Sequence, residues 1–297
     1  MQITRSVLFA MALSASGAAC SDPDPFMTTG DGGGGGSDGG GGGSDGGGGG
    51  DAAPPRNCAP APARLVVLGD SITACSVVGG PQNANCVSKK LADYVTTNYA
   101  AGMVYQNLAV GGAKLDDIAG QLANIQTAAG PALVYLYIGG NDLSPFIFQS
   151  DSAAMNAWTN TISPKLDSVY TAVFAKLADT ALFPAGATLL MNTQYNPFDD
   201  CTASPYNLSQ AKTDILHMFN DKLRSIAAAK GDAAIIVDQH GPYLGHGHHY
   251  NVSACPHYMA GSAPFMQDQI HANAAGNTQL AAIAGGGADR LYRDCIQ

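Results

Sequence analysis

The stretch Arg64-Leu65-Val66-Val67-Leu68-Gly69-Asp70-Ser71-Ile72 decides how the chain is read. Its apolar run is too short for a helix and stops at a glycine, the pattern of a strand buried on both faces. Outward from it, similar runs recur at residues 103–110, 132–138, 187–192 and 233–237. Helical spacing fills the intervals. Leu115, Ile118, Leu122 and Ile125 fall on one face, residues 153–177 form a long helical region, and residues 273–284 form a closing helix. A further helix spans 208–229, with Ile215, Met218, Phe219 and Leu223 on one side. Strands separated by helices predict a parallel sheet covered on both faces. Ligands of such sheets collect beyond the carboxyl ends of the strands.

Composition narrows the chemistry. Of the 37 glycines in 297 residues, 16 lie between Gly30 and Gly50, outside any packed core. The net charge is -9, which argues against a basic face for nucleic acid. All 23 acidic residues are Asp, which excludes H-E-x-x-H metalloproteases and Glu-based glycosidases. There is no P-loop, and the glycine runs match dinucleotide motifs trivially because no strand precedes them.

The N-terminus reads as an export signal. Residues 1–5 carry one positive charge, and residues 6–19 are apolar and too short to span a bilayer of about 30 Å. Ser16-Gly17-Ala18-Ala19-Cys20 resembles a bacterial lipoprotein signal, with Cys20 as the lipidated residue. Gly17 departs from that pattern, and cleavage after Ala19 by an ordinary signal peptidase is the alternative. Residues 21–57 repeat Ser-Asp-Gly-Gly-Gly-Gly-Gly and end in Pro54-Pro55, a tether that cannot bury apolar surface. The expected organisation is a signal peptide over 1–19, lipid-attachment cysteine and tether over 20–57, and one domain over 58–297. Ser21 after Cys20 favours an outer membrane by resemblance to bacterial sorting patterns. The chain is thus expected in the cell envelope, or secreted.

With Cys20 lipidated, six cysteines remain to pair in an oxidising compartment. Six allow 15 connectivities, and sequence does not pick one. The preferred set is Cys75–Cys86 closing a short loop, Cys201–Cys255 joining two loops and Cys58–Cys295 tying the domain ends.

Polar residues cluster at the strand ends. The first strand leads into Gly69-Asp70-Ser71-Ile72, the second into Gly111-Gly112, and the third into Gly139-Gly140-Asn141-Asp142. Asp268-Gln269-Ile270-His271 stands near the C-terminus, with Asn273 just after. Together these ordered blocks resemble the GDSL, or SGNH, hydrolase family over residues 63–284. The resemblance implies a three-layer, flavodoxin-like α/β/α sandwich around a mostly parallel five-stranded sheet. It also implies an oxyanion hole made by the N–H groups of Ser71 and Gly112 and the side chain of Asn141.

The residues support the same chemistry. A serine hydroxyl needs a neighbouring base, and imidazole titrates near neutral pH. Ser71 is the candidate nucleophile and His271 the candidate base. Asp268, three residues earlier and on one face if the segment is a helical turn, can hold the imidazole tautomer. The expected function is exported serine esterase, acting without a cofactor on a small-molecule or polysaccharide ester. Acyl length and oligomeric state stay open. The rival is a catalytically silent carbohydrate- or surface-binding protein on the same fold.

Other features weigh less. Asp70 and Asp142 brace their loops. Ser209-Gln210-Ala211-Lys212 fits S-x-x-K but lacks K-T-G, and a helix-capping serine is the simpler reading. Pro145-Phe146-Ile147-Phe148 lines an acyl pocket or belongs to the core. No metal ligand is assigned. His246-Gly247-His248-His249, with His240 and His257, reads as a polar loop over the site mouth, with a zinc or copper site as the alternative.

Overall fold

The computed structural model describes residues 58–204 and 206–294. The expected signal peptide, Cys20, the tether and Cys295 all lie outside these residues. Five strands form one sheet: β1 (Arg64–Gly69), β2 (Val104–Asn107), β3 (Ala132–Tyr137), β4 (Ala187–Asn192) and β5 (Ala234–Val237). Their order is β2-β1-β3-β4-β5, and every pairing is parallel. This is the flavodoxin-like arrangement, in which the order reverses beside β1. β2 ends as a regular strand at Asn107, yet the Leu108 and Val110 N–H groups still donate to the Val67 and Gly69 carbonyls of β1, while the Asn107 side-chain oxygen accepts the Ala109 N–H.

All six residues of β1 and of β3 are buried, as expected of strands covered on both sides. Their side chains alternate between two cores. Val66, Leu68, Val134, Leu136, Leu189 and Met191 face one helical layer. That layer holds α3 (Ile118–Ala123), α6 (Ser163–Leu177) and α7 (Gln210–Ala228). Leu65, Val67, Leu133, Tyr135, Leu190 and Val237 face α2 (Val87–Asn98) and α8 (Ala274–Tyr292). Two short helices leave strand ends, α1 (Ser71–Ala74) after β1 and α4 (Gly140–Leu143) after β3. The expected 153–177 helix is two pieces, α5 (Asp151–Ala157) and α6, joined by a π-helical turn over Trp158–Ile162. The closing helix runs past its expected end, through Gly285, Gly286 and Gly287 to Tyr292.

Cys75–Cys86 and Cys201–Cys255 are disulfides, the first across a separation of 11 residues and the second across 54. Cys58 is also disulfide-bonded, and its expected partner Cys295 is outside the described residues. Among the described residues no helix is long and apolar enough to cross a membrane.

Candidate active site

At the carboxyl end of β1 the backbone turns at Gly69, with φ +140. A Cβ there would lie 2.1 Å from the Tyr137 carbonyl oxygen, so only glycine lets β1 run this close to β3. Gln121 clamps the same point: its amide accepts the Gly69 N–H and donates to the Gly69 carbonyl, both at 2.8 Å. Asp70 then caps α1, accepting the Ile72 N–H at 3.0 Å. Ser71 is therefore the first residue of a helix, its N–H without an intrahelical acceptor. Left-handed Cys75 ends that helix and is tied by its disulfide to Cys86, just before α2.

The chain meets Ser71 again 200 residues later. His271 Nε2 lies 2.9 Å from Ser71 Oγ. On the other edge of the ring, Nδ1 lies 2.8 Å from Asp268 Oδ2 and 3.0 Å from Oδ1. The segment carrying the pair is not the helical turn expected from the three-residue spacing. It is a bend closed by side-chain-to-backbone bonds, with Asp268 Oδ1 accepting the N–H groups of Ile270 at 3.0 Å and His271 at 2.8 Å. An aspartate is short enough to fold back on its own loop in this way. Burial raises the Asp268 carboxyl, but these two amides and the His271 ring outweigh it and hold the group below its usual range. The Tyr195 hydroxyl donates to the Ile270 carbonyl and fixes the bend from β4's side.

Asn141, in α4, lines the same cleft as Ser71. Its amide donates one N–H to the Ala113 carbonyl at 2.9 Å, which ties α4 to the loop after β2. Gly112, next to Ala113, has φ +80 and lines a separate depression with Leu108 and Gln121. Asp142 braces this loop, accepting the Leu115 N–H at 2.9 Å. Asp70 is buried; burial is the main cause of a carboxyl pushed up to about 7, opposed by the Ile72 N–H and reinforced by Asp142.

The cleft encloses about 790 Å³ with its mouth. Ile72, Leu143, Phe146, Ile147, Phe198 and Ile215 are among the residues that line it. Phe146 is both cleft wall and core, Ile147 is wall, and Phe148 is 82 % exposed and belongs to neither. Ser209 sits at the N-terminus of α7, but its hydroxyl bonds Asp151 at 2.6 Å rather than capping the helix. Lys212 reaches the Ile147 carbonyl at 2.9 Å. Trp158 is buried against Phe219, as a packing residue should be.

The expected polar loop does border the site. His248 Nε2 lies 3.1 Å from the Gln269 carbonyl, beside Asp268, and His246 stacks on Phe265 at 4.0 Å. Asp199 organises this loop by accepting the N–H groups of Gly245, Gly247 and His249 at 2.7–2.9 Å. Sequence reading missed Asp199, Gln121 and Tyr195. The polar run Asn192-Thr193-Gln194-Tyr195-Asn196, just past the carboxyl end of β4, was the available signal for Tyr195.

Fold and cleft define an α/β protein with a serine–histidine–aspartate hydrogen-bond chain at the carboxyl edge of its sheet. Residues 65–284 match the family described as GDSL-like lipase/acylhydrolase, and the chain belongs to that family of carboxylic ester hydrolases. Solved structures share the fold at low identity. An extracellular lipase from Streptomyces rimosus is 18 % identical, with TM-score 0.51, covering 75 % of this chain and 99 % of that one. The lipase Lip_vut3 from a goat rumen metagenome is 13 % identical, with TM-score 0.55, covering 77 % and 98 %. A GDSL-like lipase described as putative, from Parabacteroides merdae, is 14 % identical, with TM-score 0.52, covering 78 % and 97 %. No curated protein matches the sequence.

Proposed function

We propose that the chain is an exported serine esterase that cleaves carboxylic esters through an acyl-serine intermediate. One observation carries the reading: His271 bridges Ser71 and Asp268 through its two ring nitrogens, at 2.9 Å and 2.8 Å. His271 Nε2 takes the Ser71 proton as Oγ attacks the ester carbonyl, while Asp268 stabilises the imidazolium at Nδ1. The imidazolium then gives its proton to the leaving alcohol. Water, activated by the same ring, releases the acid and restores Ser71. The oxyanion is received by the Ser71 N–H, the second Asn141 amide N–H and the Gly112 N–H, donors that preorganise charge stabilisation. The Asn141–Ala113 bond, one residue from Gly112, supports grouping them.

The apolar walls favour an acyl chain longer than acetyl. Export is supported by disulfides, which persist in oxidising compartments. The N-terminal signal, Cys20 lipidation and tether extend this reading on sequence grounds alone. The test is hydrolysis of p-nitrophenyl esters from acetate to octanoate by wild type and Ser71→Ala. The reading expects kcat/KM to rise along the series, by up to about fourfold per buried methylene. It expects Ser71→Ala to lose activity by on the order of 10⁴-fold or more while keeping its circular dichroism. Undiminished turnover in that variant rejects the mechanism; a preference for acetate rejects the acyl assignment alone.

A further inference from the structure

Away from Ser71, four segments converge on one carboxylate. Asp200 lies in the middle of the loop between β4 and α7, His217 lies on α7, His240 follows β5, and His257 lies in the long loop before α8. His217 Nε2 is 2.8 Å from Asp200 Oδ2, His240 Nε2 is 3.4 Å from Oδ1, and His257 Nε2 is 3.9 Å from Oδ2. The donor atoms of Asp200, His217 and His240 all lie within 4.8 Å of one another. We propose that Asp200, His217 and His240 bind one divalent transition-metal ion of the zinc class, with His257 the residue nearest its fourth position.

The donor chemistry fits. Neutral imidazoles plus one carboxylate suit zinc, and a Zn–N bond of about 2.0–2.1 Å in a tetrahedron sets ligand atoms about 3.3 Å apart. The His217 and His240 separations from Asp200, 2.8 and 3.4 Å, bracket that value. Each ligand stands on a braced element. Asn196 Nδ2 donates to Asp200 Oδ1 at 2.6 Å and orients the carboxylate. The Cys201–Cys255 disulfide joins the loops carrying Asp200 and His257, and the His240 N–H is held by Thr193 Oγ1 at 3.1 Å. The Asp200 and His240 side chains are 9 % and 11 % exposed, while His217 and His257 are 42 % and 39 % exposed, so an ion has a way in.

The histidine-rich segment is a different place. His246 Nδ1 bonds the Ala263 carbonyl, and His249 is strung between the carbonyls of Phe198 and Ala203. His249 also lies near Cys201 and Cys255, but those sulfurs are bonded to each other and offer no thiolate. An ion on Asp200 would instead tie α7 to three loops, including the one whose Asn196, Pro197 and Phe198 line the acyl cleft. Its role is structural, because Ser71, His271 and Asp268 are not among its ligands.

The test uses the untagged full chain, stripped with EDTA and dialysed. Zn²⁺ and, separately, Ca²⁺ are added while uptake and thermal unfolding are followed. The expected result is one Zn²⁺ per chain and a Tm raised by about 5–10 °C at free Zn²⁺ near 100 times Kd, with no effect of Ca²⁺. His217→Gln, at a half-exposed position of α7, should keep the wild-type circular dichroism and bind at least about 100-fold more weakly; His257→Gln should weaken binding less. No uptake and no Tm change overturns the proposal, leaving a hydrogen-bonded network only. Equal uptake by wild type and His217→Gln also overturns it, because the ion then sits elsewhere.

Discussion

Asp70 precedes the nucleophile candidate and is 2 % exposed, so its charge has no water to meet. Its folded pKa of about 7 lies above the ordinary 3.8, so the folded chain holds a proton that the unfolded chain has released. The contribution is fully present below pH 3.8 and is lost as pH rises through about 7. Asp70→Asn keeps an acceptor for the Ile72 N–H and removes the charge. Urea unfolding should therefore show it more stable than wild type at pH 8, by on the order of 4 kcal/mol, with the gain vanishing near pH 4. A gain equal at both pH values would contradict the assignment. Asp268 has the opposite character, being held ionised by two amides and an imidazole. Asp268→Asn offers the wrong partner to Nδ1–H and should lower kcat by on the order of 10⁴-fold in a steady-state assay, with KM little changed. The residues of this chain were legible because their types are distinctive: serine after a strand, and Asp-x-x-His before a helix. Their local geometry was not, since the same three-residue spacing serves a helical turn and the Asp268 bend that the structure has.

At the scale of elements, α8 shows what hydropathy conceals. Gly285-Gly286-Gly287 reads as a helix stop, yet the helix passes through it. Two of these glycines are there for contact: a Cβ on Gly285 would meet the Tyr94 ring at 3.1 Å, and one on Gly287 would meet Val237 Cγ2 at 2.8 Å. Gly286 faces open space. Gly286→Ala should stabilise by about 0.5–1 kcal/mol through helix propensity. Gly287→Ala should destabilise by about 1–2 kcal/mol, because Val237 is β-branched and cannot move aside. Denaturation midpoints of the pair check the sign difference. α2 escaped the sequence reading although Val87, Leu91 and Val95 recur every four residues and are fully buried. Its N-terminal boundary is set by Cys86, whose role shows only once the disulfide is drawn. The strands of the buried sheet were plain because each is a short apolar run, apart from the edge strand β2, which carries the polar Gln106 and Asn107.

For the whole molecule, sequence and structure meet in one requirement: distant segments must gather at the carboxyl edge of the sheet. The Cys75–Cys86 and Cys201–Cys255 bonds lock two of the loops involved, and by loop length they contribute about 3 and 4 kcal/mol. Reducing both should lower the Tm by more than 10 °C on the order-of-magnitude scale of this domain size, and should cost activity as α1 loosens. Loop placement was the part hidden from sequence, since Tyr195, Asp199 and the cleft wall depend on how 194–200 and 245–265 fold against each other. The most direct measurement is covalent labelling of the full chain with a fluorophosphonate, followed by peptide mass spectrometry. One adduct, on Ser71, with hydrolysis lost in proportion to labelling, is the predicted result. An adduct on another serine that tracks the loss of activity, or full hydrolysis after Ser71 is labelled, would contradict the account.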